Sequence, residues 1–460
     1  MNDYAKSLLK ELVRENREMD FLIQTNTELH RKGWGRIWLF EGEKQLYEGN
    51  AEITLRQVSH EYKFGASLFM LGCFPEEERN LLFEECFREF FNLGVAPFYW
   101  SDLEPEDGKL RFAEGSPEIY RRPPVDRVVE YGRKHNIALK GHPLCWNNWL
   151  PDHLPLNRQE WLSRLERRFA EIAERYSKTI RIFDVINEIF SATLSTASLL
   201  PNFERPEYQP YAENIVEITF RLAEKHFPIG TQLILNDDNF WWHSHREYSS
   251  LYMLARRLLE KGTRLGGVGF QFHLFKKNIP EAKYFMNPVH LYKVLDQYNK
   301  LDVPCNFSEV SIISSRDLGD GDTFQKIATE KLYRLWFSHP ATDSIVWWNP
   351  VDGTAAGGVL GSEDGENYLR AGLFAYDLKP KPAAEVLRHL IHQEWHTEAK
   401  VDFQGGGDNR FHGFFGDYEA VIKTDAGTFK KRITLSKHAS KDIKIKLNHD
   451  ETDHFTSYWH

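Results

Sequence analysis

The sequence predicts an α/β protein: a closed (β/α)8 barrel with a small β-sandwich-like domain built from both chain ends. Three observations predict it. Between residues 59 and 396, apolar strand-like runs alternate with helical stretches eight times. Outside that span the pattern changes to short alternating strands, at residues 1–58 and 397–460. Finally, Glu188 and Glu309 each close an apolar run, and in a barrel such run ends meet around one mouth.

Residues 3–20 read as one helix, with Leu8, Leu9, Leu12 and Val13 as its apolar stripe. Residues 35–39 and 51–55 read as short strands, with Glu41-Gly42-Glu43 as a turn between them. The barrel strands are then expected at 62–67, 94–99, 137–141, 180–186, 232–235, 267–271, 305–308 and 344–348. Helical stretches such as 158–176 and 215–225 lie between them. At the far end, strands are expected at 416–422, 432–435 and 443–447. The alternation Ile443-Lys444-Ile445-Lys446-Leu447 implies one wet face and one buried face. Neither end is large enough to bury a good core alone. Pairing the two into one sandwich solves both problems.

Composition narrows the function. A formal net charge of -9 disfavours a phosphate-binding surface, so nucleic acid is not expected as a partner. No run of 18 apolar residues exists, so no membrane-spanning helix is expected. The first residues carry no apolar signal core, which predicts a cytoplasmic protein, or a secreted one if a signal has been removed. A monomer or weak homo-oligomer is expected. Cys73, Cys86, Cys145 and Cys305 sit among apolar or aromatic neighbours, as buried free thiols do. No GxGxxG joins a strand to a helix, and no GxxxxGK[ST] is present. No cofactor is implied. His389, His392 and His396 fall at i, i+3 and i+7 of a late helix, but without acids to complete a metal site they read as a surface or interface stripe.

The chemistry concentrates at run ends. Two acids at one barrel mouth are the minimum equipment for cleaving a glycosidic bond. Partial desolvation and a neighbouring carboxylate would raise Glu188, suiting it to donate a proton. Glu309 is its partner: at about 5–5.5 Å it attacks the sugar and configuration is retained, and at about 6.5–9.5 Å water attacks and configuration inverts. Asn187 is placed to donate to Glu309 or to a sugar hydroxyl. His273 and Gln271 face one side of their strand, so His273 either holds Glu309 ionised or is a satisfied core histidine. His142 ends the third strand as a candidate sugar donor, with Trp146 as a candidate cleft floor. Asn236, within the run 235–239, offers a cleft group or a turn. Of Trp347 and Trp348, one should stack on a sugar while the other packs outward, unless both are core. Trp38 and Tyr418 are candidate sugar platforms on the accessory domain, or else packing residues.

These landmarks, in order, resemble glycoside hydrolase family 10, the xylanase family. They are Phe64-Gly65-Ala66, Phe91-Asn92, Glu104-Pro105, Gly141-His142-Pro143-Leu144-Cys145-Trp146, Asp184-Val185-Ile186-Asn187-Glu188, Asn236-Asp237, Gly269-Phe270-Gln271-Phe272-His273 and Ser308-Glu309. Trp348, Gly372-Leu373-Phe374 and Lys379-Pro380-Lys381-Pro382-Ala383 complete the series. The resemblance implies a TIM barrel and a retaining mechanism. It also implies Glu188 as acid/base, Glu309 as nucleophile and a β-linked polysaccharide or oligosaccharide as substrate. It departs from the family at the sugar grip. Where members carry a Glu-Asn pair and a Lys, this chain has Leu93-Gly94-Val95-Ala96-Pro97-Phe98-Tyr99-Trp100. Tyr99 thus becomes a candidate contact, and Asn147 stands where the family has His. The expected activity is β-1,4-xylan or xylo-oligosaccharide hydrolysis. A different or decorated β-glycan is the alternative within the fold, and a noncatalytic carbohydrate-binding barrel the alternative of another class.

Overall fold

The computed structural model describes residues 1–155, 157–190, 214–238, 241–242, 246–274 and 284–447. They fall into two compact units. One holds residues 1–15, 64–337 and 341–386, and the other holds 16–63, 338–340 and 387 onward. In chain order the strands are β1 (Lys32–Glu41), β2 (Lys44–Gln45), β3 (Asn50–His60), β4 (Lys63–Ser67), β5 (Leu93–Pro97), β6 (Ala138–His142), β7 (Ile182–Asn187) and β8 (Gln232–Asp237). They continue with β9 (Gly267–His273), β10 (Cys305–Ser311), β11 (Thr342–Trp347), β12 (Glu398–Gln404), β13 (Arg410–Phe414), β14 (Gly416–Thr424), β15 (Gly427–Leu435) and β16 (Asp442–Lys446).

Strands β4 to β11 close into an eight-stranded barrel in sequential order. Each overlaps one of the eight expected runs. Helices cover the barrel strands, so these strands are buried nearly throughout and their sequences read as continuous apolar runs. The helices start where the sequence supplies caps. Asn157 accepts from the backbone of Gln159 at 2.9 Å and Glu160 at 3.1 Å, opening the helix Arg158–Tyr176. Asn287 caps the helix Pro288–Asn299, whose first residue is a proline that has no N–H to satisfy. Packing then locks strand to helix: the Trp336 ring stacks on Phe307 of β10 at 4.1 Å. That contact holds in place the strand carrying Glu309.

The other unit is a sandwich of two sheets. One runs β13-β1-β16 with β2 beside β1, and the other runs β12-β3-β14-β15. Alternate residues turn inward, as the period of two requires. Ile37, Leu39, Ile443 and Ile445 from one sheet share a core with Ile53, Leu55, Tyr418, Ala420 and Ile422 from the other. β1 lies parallel to β16, placing Ile37 opposite Ile443 and Leu39 opposite Ile445. Strands from the N-terminal and C-terminal parts of the chain therefore share one hydrophobic core.

Three readings change. The expected helix 3–20 is two helices, Asp3–Leu9 and Arg17–Arg31, because Asn16 starts a new one by accepting from Met19 N at 3.1 Å. The first of these helices belongs to the barrel unit, where the Asn2 N–H donates to the Leu318 carbonyl at 3.0 Å. Tyr418 is fully buried in the sandwich, with its hydroxyl on the Phe414 carbonyl, so it presents no sugar platform. His389 ends one helix, His392 lies in the π-helical turn Leu390–Glu394, and His396 follows it. The three therefore do not share a regular helical stripe. None of the four cysteines forms a disulfide.

Candidate active site

Glu188 directly follows β7, and Glu309 lies in β10. Both strands slip register just before their carboxylate. β7 slips against β8 between Asp184 and Ile186, and β10 slips against β9 between Phe307 and Glu309. Such irregularities re-aim side chains near sites. Glu188 adopts a left-handed backbone, with φ +52°, and its N–H donates to the Asn236 carbonyl at 3.0 Å. A non-glycine residue held there carries strain, which persists only where the surroundings impose it.

The two carboxylates line one cavity of about 340 Å³. Among its walls are Tyr99, His142, Trp146, Asn187, Gln271, His273 and Trp348, all expected from the sequence. Asn236 lies behind the wall. Its Nδ2 donates to Glu309 Oε1 at 2.9 Å and to Asn187 Oδ1 at 2.7 Å. Gln271 Nε2 donates to Glu188 Oε1 at 3.0 Å and to the same Asn187 oxygen at 3.2 Å. Two donors on Oδ1 fix the Asn187 amide orientation. Of the two roles the sequence offers Asn187, the donor to Glu309 falls instead to Asn236. Asn236 can reach inward because residue 269 is glycine: a Cβ there would come within 2.1 Å of Asn236 Oδ1.

Glu309 is held from several sides. His273 Nε2 lies 3.2 Å from Oε2, and His273 Nδ1 lies 3.0 Å from Ser311 Oγ. Burial lowers the His273 pKa, against the pull of Glu188, Glu366 and Asp238. The ring is then neutral, so Nε2–H donates to the carboxylate and Nδ1 accepts from the serine. His142 Nδ1 contacts Asp184 Oδ2 at 2.8 Å, and its Nε2 stands 3.8 Å from Glu309 Oε1. Burial opposes the Asp184 charge, but Lys140 at 2.8 Å and His142 together hold its carboxyl below the usual range.

Burial first, then the Glu309 charge, pushes Glu188 up to about 7. Burial pushes Glu309 up to about 7 as well, with His142, Lys140 and Asn236 pulling against it. Two carboxylates in one cavity do not readily ionise together. The hydrogen bonds decide which keeps the charge. Glu309 accepts from Asn236 and His273, whereas Glu188 accepts from Gln271. The extra donors on Glu309 favour its charged form, and Glu188 is the carboxylate with less to hold a charge.

The aromatic walls divide as the pleat predicts. Trp347 is buried with Nε1 on the Ala371 carbonyl, while Trp348 faces the cavity. Asn147 is buried and is not among the residues that line the cavity; sequence order placed it but not its side-chain direction. Asn239 lies outside the described residues. The sequence reading missed Arg121, Arg122, Trp149, Trp242 and Glu366, which also line the cavity. They sit on connecting segments, where no periodicity marks them. The left-handed backbone of Arg121 and Trp149, with φ +62° and +60°, is visible only in the fold. Among the described residues, no cluster of His, Cys, Asp or Glu could hold a metal ion.

The sequence profile of Glycosyl hydrolase family 10 matches residues 98–389. A β-1,4-xylanase from Dictyoglomus thermophilum is 25% identical over 287 residues, which cover 58% of this chain and 77% of that protein. Endo-1,4-beta-xylanase B from Cellvibrio japonicus is 26% identical over 260 residues, covering 55% of this chain but only 38% of its own length. Native xylanase 10B from Thermotoga maritima superposes with a TM-score of 0.58 at 21% identity, covering 73% of this chain and 96% of that one. Xylanase 10B from Thermotoga petrophila RKU-1, solved with xylobiose, gives 0.56 at 21% identity, covering 73% and 95%. At those identities the superpositions speak for the fold alone. With the profile spanning more than half of its length and the closed barrel around it, this chain belongs to glycosyl hydrolase family 10 and is a glycoside hydrolase.

Proposed function

We propose that the enzyme cleaves β-1,4-linked xylan or xylo-oligosaccharides with retention of configuration, through a covalent glycosyl-enzyme. One observation carries the reading: the cavity holds two carboxylates made unequal by their hydrogen bonds. Glu309 faces two side-chain donors and Glu188 one, which favours the charge on Glu309 and the proton on Glu188.

In the first step Glu188 gives its proton to the leaving oxygen while Glu309 attacks the anomeric carbon. The glycosidic C–O bond breaks, a Glu309–sugar ester forms, and the leaving chain departs as an alcohol. In the second step ionised Glu188 takes a proton from water. The water oxygen attacks the same carbon, the ester breaks, and Glu309 recovers its charge. Protonation of the leaving group and deprotonation of water by one residue follow from microscopic reversibility. His273 and Asn236 donate to Glu309 throughout and keep it oriented. Asn187 Nδ2 is buried and has no protein partner among the described residues. Trp348, Trp146 and Tyr99 supply ring faces.

The xylanase names of the relatives support the substrate. Product analysis tests it, using linear xylo-oligosaccharides and arabinoxylan with Glu309→Ala as control. Cleavage that vanishes in the variant is the expected result. No cleavage by the wild type would move the substrate to another β-glycan. A noncatalytic carbohydrate-binding role finds no support in a cavity where both acids are intact.

A further inference from the structure

Arg121 is the least explained charge in the cavity. It is 3% exposed. It makes no ion pair with any described residue. Its side chain donates to the Thr354 carbonyl, its Nε has no hydrogen-bond partner, and its guanidinium carbon lies 5.4 Å from the centre of the Phe69 ring. Arg122 beside it is different. Its Nε pairs with Asp102 Oδ2 at 2.7 Å, its NH1 donates to the Arg121 carbonyl at 3.0 Å, and its guanidinium carbon lies 3.6 Å from the centre of the Tyr99 ring. Both line the same cavity as Glu188 and Glu309.

A buried charge without a partner is expensive, and proteins hold one mainly where something else supplies the opposite sign. Glu366 also lines the cavity and its charge favours the guanidinium from a distance, but it stands beyond ion-pair distance of Arg121. Burial lowers the Arg121 pKa to about 10, with Arg122 adding to the effect, so the guanidinium is still charged at neutral pH. The carbonyl of Thr354 satisfies part of a donor fork suited to a planar carboxylate. Tyr99, under Arg122, stands in the stretch where the polar sugar grip expected of the family is missing.

We infer that Arg121, supported by Arg122, binds the carboxylate of a uronic acid unit, so that the enzyme prefers acidic glycans over neutral ones. This rests on the cavity being a glycan site, and it names the substrate class more narrowly. The competing role is mechanical: Arg121 straps the segment around Thr354 in place and touches no substrate.

Calorimetry separates the two without requiring any bond to be cleaved. Sodium D-glucuronate and D-glucose are titrated into the wild type, Arg121→Gln and Arg121→Lys at low and high salt. We expect the wild type to bind glucuronate at least tenfold more tightly than glucose, with the difference shrinking as salt rises. Arg121→Gln should abolish that preference, and Arg121→Lys should keep part of it. Equal affinities in the wild type overturn the inference, with no variant needed. A preference that survives in Arg121→Gln overturns it as well. A wild type that prefers glucuronate yet leaves every xylo-oligosaccharide intact supports this inference and contradicts the xylan reading instead.

Discussion

Glu188 and Glu309 are joined by an unbroken run of amide hydrogen bonds. It passes from Glu188 Oε1 to Gln271, from Gln271 to Asn187, from Asn187 to Asn236, and from Asn236 to Glu309 Oε1. Asn187 accepts from both sides, so its oxygen fixes both donors. The arrangement lets two acids on strands distant in sequence keep one geometry.

Removing a donor from this run should shift a titration. In Asn236→Ala, Glu309 loses a hydrogen bond that favours its charged form, so its pKa rises. The acid limb of the kcat/KM profile should move to higher pH, with a loss of about 10- to 100-fold at the optimum. A profile that falls in height without moving would mean that Asn236 only supports packing.

Glu188 should reveal itself through the leaving group. Glu188→Gln should lose about 10²- to 10⁴-fold on natural glycosides, whose leaving alcohol needs a proton. Cleavage of an aryl glycoside with an acidic phenol should lose far less in the glycosylation step. Pre-steady-state release of the phenol measures it. Equal losses on both substrates would remove Glu188 from the acid role.

The pH dependence of stability has a definite sign. Glu188 titrates near 7 in the folded protein against an ordinary 4.5. Between those values the folded state binds more protons than the unfolded chain, so stability falls as pH rises from 4.5 through about 7. Glu188→Gln removes this loss. It should be more stable than the wild type by about 3 kcal/mol at pH 8, and the gain should vanish below pH 4.5. Chemical denaturation at the two pH values reads both.

Lys140 tests the buried network beneath the acids. With Lys140 and Asp184 both nearly inaccessible and 2.8 Å apart, Lys140→Met leaves a buried carboxylate short of its cation. The expected destabilisation is about 3–5 kcal/mol, read from urea unfolding. Lys140→Met with Asp184→Asn should recover part of it.

The parts legible in the sequence were those fixed by local pattern. Barrel strands are buried on both faces, so each reads as an apolar run, and a carboxylate that ends such a run is conspicuous. β16 was equally plain, because Ile443 and Ile445 alternate with lysines. The break between the first two helices was readable in Asn16, a capping residue three positions before Met19, but the apolar stripe overrode it. Asn147 misled because motif order gives position and not direction. Arg121 was hidden for the opposite reason: its place in the cavity depends on a left-handed backbone and on a carbonyl more than two hundred residues away.

The central claim is that Glu309 attacks the sugar directly, and the anomer released first tests it most directly. Proton NMR in D₂O, recorded within the first minutes of hydrolysis of a β-1,4-linked xylo-oligosaccharide, distinguishes the two courses before mutarotation mixes them. The account predicts that the β-anomer appears first and the α-anomer grows in later. An α-anomer formed first would mean that water attacks in a single displacement, and would contradict the role given to Glu309.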